Sequence, residues 1–310
     1  MTATVLFAAR PEAWESYRDP LRRALAEAGV DARVVTDAAP ETVDYIVYAP
    51  NGPVRDFSAF TRLRAVLNLW AGVEDVVGNP TLKAPLARMV DGGLTQGMVE
   101  YVTGHVLRHH LGMDRYIGRT APHWDRAIPP LASDRHVGVL GLGELGAAAA
   151  RALARLGFRV AGWARRAHDI EGVETTSGAA GLERVLARSE ILVLLLPLTR
   201  ETEGILNAER MALMPRGAVV INPGRGALID DDALVAALRS GRIGHATLDV
   251  FRVEPLPPDH PFWNNPRVTV TPHVASETRP ETAARVIAEN IRRAEAGEPL
   301  LHLVDRAAGY

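Results

Sequence analysis

Three ionisable residues stand directly after apolar segments in the second half of the chain. Arg225 lies in I-N-P-G-R-G-A-L-I-D, Glu254 in T-L-D-V-F-R-V-E-P-L-P and His273 in T-V-T-P-H-V-A. Each apolar segment is typical of a β-strand, and the carboxyl ends of parallel strands line the ligand crevice of an open α/β sheet. We therefore expect the three side chains to converge. Taken singly, each has a plainer alternative: an anion-binding turn, a solvated turn glutamate and a capped loop histidine.

A glycine pattern stands further upstream. The stretch V-G-V-L-G-L-G-E-L-G places Gly141, Gly143 and Gly146 in the order G-x-G-x-x-G, between an apolar strand and a strong helix former. In dinucleotide-binding units these glycines allow a tight turn, a close approach of the pyrophosphate and close helix–strand packing. The helix N-terminus adds free N–H groups and a partial positive charge. A glycine-rich turn without a ligand and a methyltransferase loop are the alternatives.

Two adjacent arginines follow the next apolar segment, F-R-V-A-G-W. Trp163 lies 22 residues after Gly141, and no Asp or Glu occurs between Leu145 and His168. An acid near this position binds the ribose 2′-OH of NAD, whereas arginine accommodates the 2′-phosphate of NADP. A guanidinium offers bidentate hydrogen bonds to phosphate. Arg165 and Arg166 therefore predict a preference for NADPH, with NADH also possible; the alternative is two solvated surface arginines.

Alternating strands and helices would position these residues. The predicted strands are 4–8, 32–36, 45–49, 65–69 and 87–90 in a first series, and 136–140, 158–163, 191–196, 218–222, 246–250 and 268–271 in a second. Near-continuous apolar strands separated by helices predict parallel sheets covered on both faces, here in two α/β modules. Helices are predicted at about 97–116 and at 279–297, where Pro280 stands early and Gly297 at the end. A Pro-rich loop is predicted at 121–130.

Length and composition limit the class of protein. The 310 residues suffice for two domains of roughly 150 residues each. Hydrophobic residues make up 47% and charged residues 23%, which argues against disorder. A net charge of −2 argues against a nucleic-acid partner, and the absence of cysteine is compatible with a reducing cytosol. The longest apolar run, 191–198, is far shorter than the ~20 residues of a membrane span. We expect a cytoplasmic protein without a signal peptide.

The histidines of the first long helix invite a metal-site interpretation. His105 and His109 share a helix face, with His110 beside them. No H-E-x-x-H pattern and no third ligand accompany them, so no metal is predicted. The sequence also contains neither the G-x-S-x-G of α/β-hydrolases nor a G-x-x-x-x-G-K-[ST] phosphate loop.

The order of the three ionisable residues resembles a known family. Glu254 follows Arg225 by 29 residues and His273 follows Glu254 by 19, with the glycine loop upstream. This arrangement is similar to that of the D-2-hydroxyacid dehydrogenases. The segments D-V-F-R-V-E-P-L-P-P, W-N-N-P-R-V-T-V-T-P-H-V-A and V-D-R-A-A-G-Y look like the A-type glyoxylate/hydroxypyruvate reductases within that family.

The resemblance implies a particular architecture. It comprises two doubly wound parallel-sheet domains, a Rossmann-like cofactor domain and a flavodoxin-like substrate domain, with the active site in the cleft. Residues 99–275 would form the dinucleotide-binding domain. Residues 1–98 and 276–310 would form the substrate-binding domain, because the C-terminal helix returns to it in this family. A homodimer built around 99–120 is also implied.

The resemblance also implies roles for individual residues. His273 would donate a proton to the substrate carbonyl oxygen, and Glu254 would fix the imidazole tautomer and favour the imidazolium. Arg225 would hold the substrate carboxylate or carbonyl oxygen. Asp249 would lie near the nicotinamide carboxamide. The remaining expected cofactor-binding residues are Glu144, Leu145, Leu196, Pro197, Thr202 and Pro223.

The segment L-W-A-G-V-E-D-V resembles the substrate loop of the family. Backbone N–H groups of Ala71, Gly72 and Val73 would meet the substrate carboxylate. Trp70 stands where a small residue is expected, so the indole would reshape the pocket; Tyr48 would add an aromatic wall. The implied reaction is NADPH-dependent reduction of glyoxylate to glycolate or of hydroxypyruvate to D-glycerate. The alternatives are a different 2-keto acid, a non-catalytic nucleotide-sensing protein of the same fold, and a methyltransferase.

Overall fold

A computed structural model describes residues 2–117, 124 and 126–310. It divides into two compact units. The first comprises Met1–Leu94 and Glu277–Tyr310, and the second comprises Thr95–Ser276. The boundaries expected from sequence, 98/99 and 275/276, lie four residues and one residue away from these divisions.

The first unit contains a five-stranded parallel sheet. Its strands are β1 (Ala3–Ala8), β2 (Ala32–Val35), β3 (Tyr45–Tyr48), β4 (Ala65–Asn68) and β5 (Leu86–Ala87). Their order is β2-β1-β3-β4-β5, the flavodoxin-like order. The helices of this unit are α1 (Pro11–Glu27), the short α2 (Glu74–Val77) and α8 (Pro280–Glu295). Helix α8 presents Ala284, Ile287 and Ile291 to the core formed with β1, β3 and α1, which explains why the C-terminal segment belongs here.

The second unit contains a seven-stranded parallel sheet. Its strands are β6 (His136–Leu140), β7 (Arg159–Trp163), β8 (Val173–Thr176), β9 (Ile191–Leu194), β10 (Ala218–Asn222), β11 (Ile243–Leu248) and β12 (Val268–Val270). Helices α4 (Glu144–Arg155), α5 (Gly178–Arg188), α6 (Ala208–Leu213) and α7 (Asp231–Ser240) connect them, and α3 (Gly92–His110) precedes them. The order is β12-β11-β10-β9-β6-β7-β8, so the winding reverses between β6 and β9. A reversal of this kind marks the ligand crevice in Rossmann folds.

Several element boundaries differ from the sequence prediction. Helix α3 begins at Gly92, not near 97, because the Asp91 carboxylate accepts hydrogen bonds from the N–H groups of Gly93 and Leu94. It ends at His110, and Gly112 follows with a left-handed φ of 62°. Strand β5 ends earlier than predicted, and β8 was not predicted, because V-E-T-T shows no continuous apolar run. In the predicted loop 121–130, residues 121–123 and 125 lie outside the described residues, and the others form neither helix nor strand.

No helix among the described residues is long and apolar enough to cross a membrane.

Candidate active site

Three adjacent strands of the second unit deliver Arg225, Glu254 and His273 to one edge of the sheet. In the parallel register, Asn222 of β10 lies opposite Leu248 of β11, and Leu248 lies opposite Val270 of β12. The loops that follow these strands therefore start side by side. This register places the three residues at one edge of the sheet; a contact of Arg225 with the other two side chains stays a prediction.

His273 and Glu254 form a hydrogen-bonded pair. Nδ1 of His273 lies 2.7 Å from Oε2 of Glu254. An ionised carboxylate only accepts hydrogen bonds, so Nδ1 carries the proton and Nε2 is the ring nitrogen that Glu254 does not engage. The other carboxylate oxygen, Oε1, accepts the backbone N–H of Phe251 at 2.8 Å. Both side chains are partly exposed, which leaves the pair accessible to a ligand.

A buried carboxylate holds the loop that carries His273. Asp249 is fully buried. Its Oδ1 accepts the Thr271 hydroxyl at 2.6 Å and the Val274 N–H at 2.9 Å, and its Oδ2 accepts the Ala275 N–H at 2.9 Å. These bonds fix a turn in which His273 itself adopts a left-handed φ of 55°. The structure thus places the Asp249 carboxylate behind the His273 loop, and its expected position near the nicotinamide stays a prediction.

Arg225 lies half-buried in a loop braced by the last residue of β10. The Asn222 amide donates to the Arg225 carbonyl at 2.9 Å and accepts the Gly224 N–H at 3.1 Å. A Cβ on Gly226 would lie 2.0 Å from the carbonyl carbon of Phe251, so the backbones of the Arg225 and Glu254 loops touch. The loop that carries Arg225 is therefore packed against the loop that carries Glu254.

Two of the three glycines in the loop are required by the backbone geometry, and the third, Gly143, faces open space. Gly141 has a φ of 101°, and a Cβ on Gly146 would lie 1.8 Å from the Gly141 carbonyl oxygen. By contrast, no atom of the described chain outside its immediate neighbours lies within 4 Å of a Cβ built on Gly143, which stands at the N-terminal end of α4. Glu144 is also exposed there, and Leu145 is half-buried. The space above Gly143 can admit a ligand.

Arg165 and Arg166 leave the sheet beside the glycine loop. Trp163, the last residue of β7, lies opposite Leu140, the last residue of β6. Both arginines are exposed. The indole Nε1 of Trp163 donates to the Gly178 carbonyl at 2.8 Å, which ties this strand end to α5. The two guanidinium groups are thus carried at the same sheet edge as Gly143.

The other expected cofactor residues shape neighbouring loops. The Thr202 hydroxyl donates to the Pro197 carbonyl at 2.7 Å and accepts the Thr199 N–H at 2.8 Å, which folds the loop after β9. Leu196, Thr202 and Pro223 are buried, so their side chains support the loops that follow β9 and β10.

In the first unit, the expected substrate loop is braced by Asn68. This residue ends β4 and is 1% exposed. Its Nδ2 donates to the carbonyl oxygens of Trp70 at 2.9 Å and Gly72 at 2.8 Å. Two loop carbonyls are thereby turned towards the strand end. The Trp70 side chain is 40% exposed, whereas Val73 is buried at the start of α2.

Tyr48, expected from sequence to form an aromatic wall of the pocket, lies in the core of the first unit. It is 3% exposed, and its ring packs 5.6 Å from that of Phe57. Burial raises the pKa of the Tyr48 hydroxyl, and the nearby Arg55 guanidinium opposes that shift. All four residues of β3 are buried, so Tyr48, the last of them, is part of the core.

Sequence inspection missed the two bracing asparagines, although a signal was present. Asn68 and Asn222 each end an otherwise apolar strand, A-V-L-N and A-V-V-I-N. Each is 1% exposed and donates Nδ2 to a carbonyl of the loop that follows. A buried amide at a strand end must find partners, so it predicts a braced loop.

The α3 histidines pack against the sheet. Nε2 of His109 lies 2.9 Å from the Thr247 hydroxyl, and its ring centroid lies 4.9 Å from that of His245. Burial lowers the pKa of His109 to about 3, which keeps the imidazole neutral. Within the described residues, no group of three or more His, Asp or Glu side chains could hold a metal ion.

Comparison with known proteins defines the family. Residues 104–275 match the D-isomer specific 2-hydroxyacid dehydrogenase, NAD binding domain. The chain is 40% identical over 257 residues to glyoxylate/hydroxypyruvate reductase A of Serratia proteamaculans (strain 568), covering 80% of this chain and 82% of that protein. The chain belongs to the D-isomer specific 2-hydroxyacid dehydrogenase family, which confirms the family predicted from sequence.

Solved structures agree over the whole chain. A D-isomer specific 2-hydroxyacid dehydrogenase from Xanthobacter autotrophicus Py2, in complex with NADPH and MES, has a TM-score of 0.91 and 43% identity, covering 100% of both chains. An NADPH-dependent glyoxylate/hydroxypyruvate reductase from Sinorhizobium meliloti, in complex with NADP and sulfate, has a TM-score of 0.86 and 38% identity, also covering 100% of both. The predicted α/β fold with two parallel sheets is thus confirmed.

Proposed function

We propose that this protein is an NADPH-dependent reductase of small 2-keto acids, converting glyoxylate to glycolate and hydroxypyruvate to D-glycerate. The observation that carries the proposal is the 2.7 Å His273–Glu254 pair, packed against the loop of Arg225. The similarity to glyoxylate/hydroxypyruvate reductases supports this choice of substrates. Trp70, which is 40% exposed in the expected substrate loop, is the feature that favours the alternative of a different 2-keto acid.

The residues present fit a dinucleotide. Open space above Gly143, at the N-terminus of α4, suits a pyrophosphate, and the exposed Arg165 and Arg166 suit a 2′-phosphate. The second unit would therefore be the dinucleotide-binding domain and the first the substrate-binding domain. When bound, NADPH supplies the hydride, while the protein supplies position and electrostatics.

The chain's own residues would handle the proton and the charge. His273 would donate a proton from Nε2 to the carbonyl oxygen, since Glu254 holds Nδ1. The Glu254 carboxylate would stabilise the imidazolium before transfer. Arg225 would bind the substrate carboxylate or carbonyl oxygen, and the N–H groups of the loop Ala71–Gly72–Val73 would bind the carboxylate as well. Asp249 would act through the His273 loop that it fixes.

We further propose a cytoplasmic homodimer. Large apolar side chains are exposed along the chain after α3, at Leu111, Met113, Tyr116, Ile117, Trp124, Ile128 and Leu131. Exposed apolar patches of this kind mark protein–protein contacts. The absence of cysteine suits a reducing compartment. Residues 118–123 and 125 of this segment lie outside the described residues. Sedimentation of the purified protein would show a dimer, and a monomer at micromolar concentration would refute this part.

The first test compares kcat/KM for NADPH and NADH with glyoxylate and hydroxypyruvate. The parent protein should prefer NADPH, and Arg165→Ala/Arg166→Ala should lose that preference by about 10- to 100-fold, as expected for one or two charge-assisted hydrogen bonds. Arg159→Ala is the matched control, because Arg159 is an exposed arginine at the opposite end of the same strand. Equal use of NADH by the parent would refute the cofactor assignment.

The second test is His273→Ala. This variant should lose turnover yet bind NADPH normally, because His273 lies in a loop distinct from the glycine loop. Full activity in the variant would remove His273 from the proposed role. Absence of NADPH oxidation by the parent with any small 2-keto acid would refute the reductase itself.

A further inference from the structure

One charged residue lies beside the candidate active site and has no role in the scheme above. Arg252 stands in the turn between β11 and Glu254. Its Nη2 donates to the Ile229 carbonyl at 2.8 Å and lies 3.4 Å from the Ala227 carbonyl. Both carbonyls belong to the short turn that begins at Arg225. The side chain of Arg252 therefore links the Glu254 loop to the Arg225 loop.

The acidic groups around Arg252 do not explain its orientation. Its Nη1 lies 3.5 Å from Oε1 of Glu203, and its Nε lies 3.9 Å from Oδ2 of Asp231. The exposed pair with Glu203 contributes little at this distance, and Asp231 lies beyond hydrogen-bonding distance. The shortest contact is the one to the Ile229 carbonyl, which is a hydrogen bond between loops. A guanidinium, with several donors in a planar fork, suits two neighbouring carbonyls better than an ammonium does.

The backbone next to Arg252 is hydrogen-bonded to the His273–Glu254 pair. Phe251, next to Arg252, donates its N–H to Oε1 of Glu254, and Oε2 of the same carboxylate meets Nδ1 of His273. Phe251 also packs against Gly226, next to Arg225. Any shift of residues 251–253 away from the 227–229 turn would therefore displace the Glu254 carboxylate relative to both His273 and Arg225.

We propose that Arg252 is a positioning residue. By hydrogen-bonding the Glu254 loop to the Arg225 loop, it keeps the His273–Glu254 pair at a fixed position relative to Arg225. The inference rests on the proposed function, since it concerns the residues of that site. Arg252 need not touch substrate or cofactor. Its loss would loosen the alignment of the proton donor and the anion-binding guanidinium.

The test uses Arg252→Ala and Arg252→Lys in the full-length protein. Arg216→Ala is the matched control: Arg216 is an arginine of the same unit, whose Nη2 donates to the carbonyl of Ser240, the last residue of α7, at 2.7 Å. Arg252→Ala should lower kcat by about 10-fold, because misalignments of an ångström cost up to about 100-fold. The Kd for NADPH should stay within about 2-fold, since the glycine loop is untouched. Arg252→Lys should recover part of the loss.

Two readouts separate positioning from simple stability. The first is partial rescue of kcat by Arg252→Lys at unchanged Tm. The second is the NMR signal of the His273 Nδ1–H proton, assigned with His273→Ala, which should move upfield in Arg252→Ala because its hydrogen bond to Glu254 lengthens. A lower Tm with unchanged kcat and an unchanged Nδ1–H signal would overturn the proposal, as would an equal loss in Arg216→Ala.

The NMR signal can also be measured without turnover. If the parent reduces no 2-keto acid, the proposed function fails, yet the His273 Nδ1–H signal still shows whether Arg252 holds Glu254 against His273. If the parent is active and Arg252→Ala matches it in kcat and in this signal, only the positioning role fails.

Discussion

Replacing Gly143 by alanine separates cofactor binding from folding in the glycine loop. No atom of the described chain beyond its immediate neighbours lies within 4 Å of a Cβ at this position, and the residue does not adopt a left-handed φ. The free energy of unfolding of Gly143→Ala should therefore stay within about 0.5 kcal/mol of the parent value. The added methyl group would occupy the space into which we place the pyrophosphate.

The expected loss of affinity follows from the hydrogen bonds at stake. Hydrogen bonds to charged groups contribute about 1.5–3 kcal/mol each. Displacing the pyrophosphate by a methyl radius would remove the equivalent of one or two, so NADPH affinity should fall by about 100-fold. Calorimetric titration with NADPH gives Kd, and thermal unfolding without cofactor gives Tm.

Gly146→Ala provides the contrasting variant. Its Cβ would lie 1.8 Å from the Gly141 carbonyl oxygen, against 3.4 Å for an ordinary contact, so the helix or the loop must move by about 1.6 Å. Such overpacking costs about 1–3 kcal/mol, and Tm should fall in the absence of cofactor. If Gly143→Ala binds NADPH as tightly as the parent, or if it loses stability as Gly146→Ala does, the reasoning about the open glycine is wrong.

Three further predictions concern the two units separately. Glu254→Gln should lower kcat by about 100-fold, because the carboxylate that accepts the Nδ1 proton of His273 and orients the imidazole is lost; Glu203→Gln is the exposed control, and equal kinetics in the two variants would rule out a role for the His273–Glu254 pair. Asn68→Ala should raise KM for the 2-keto acid at unchanged NADPH affinity and cost about 1–3 kcal/mol, because the Gly72 carbonyl loses its amide donor; an unchanged KM would remove that loop from substrate binding. Burial lowers the pKa of His109 to about 3, below its ordinary value. Between about pH 6.5 and 3 the unfolded chain therefore binds a proton that the folded chain does not, so stability falls as pH falls, by up to about 1.4 kcal/mol per pH unit. Urea unfolding of His109→Gln should show a shallower pH dependence, and an identical slope would contradict the assignment.

Much of the fold was predictable because buried parallel strands leave a strong local signal. Continuous apolar segments such as I-L-V-L predicted strands of both sheets, and the glycine spacing predicted the turn into α4. Strand β8 was missed because V-E-T-T is a half-exposed edge strand with mixed polarity. The start of α3 was misplaced because its capping residue, Asp91, precedes two glycines that disfavour a helix locally.

The sequence by itself determined which residues could do chemistry and in what order they occur. Arg225, Glu254 and His273 each follow an apolar strand, and in parallel sheets such positions share one edge whatever the details of packing. The adjacent arginines at 165 and 166 were equally visible, because the ribose-binding position lies at a nearly constant distance along the chain from the glycine loop.

Only the tertiary structure decided what surrounds these residues. The sequence indicates Asp249 and Tyr48 as ligand contacts, whereas their burial, beneath the His273 loop and in the core of the first unit, is visible only in the structure. Burial depends on partners in other segments of the chain, such as Ala275 for Asp249 and Phe57 for Tyr48. The contacts of Arg252 and Gly226 are of the same kind. They arise where loops from neighbouring strands meet, so no local sequence pattern predicts them.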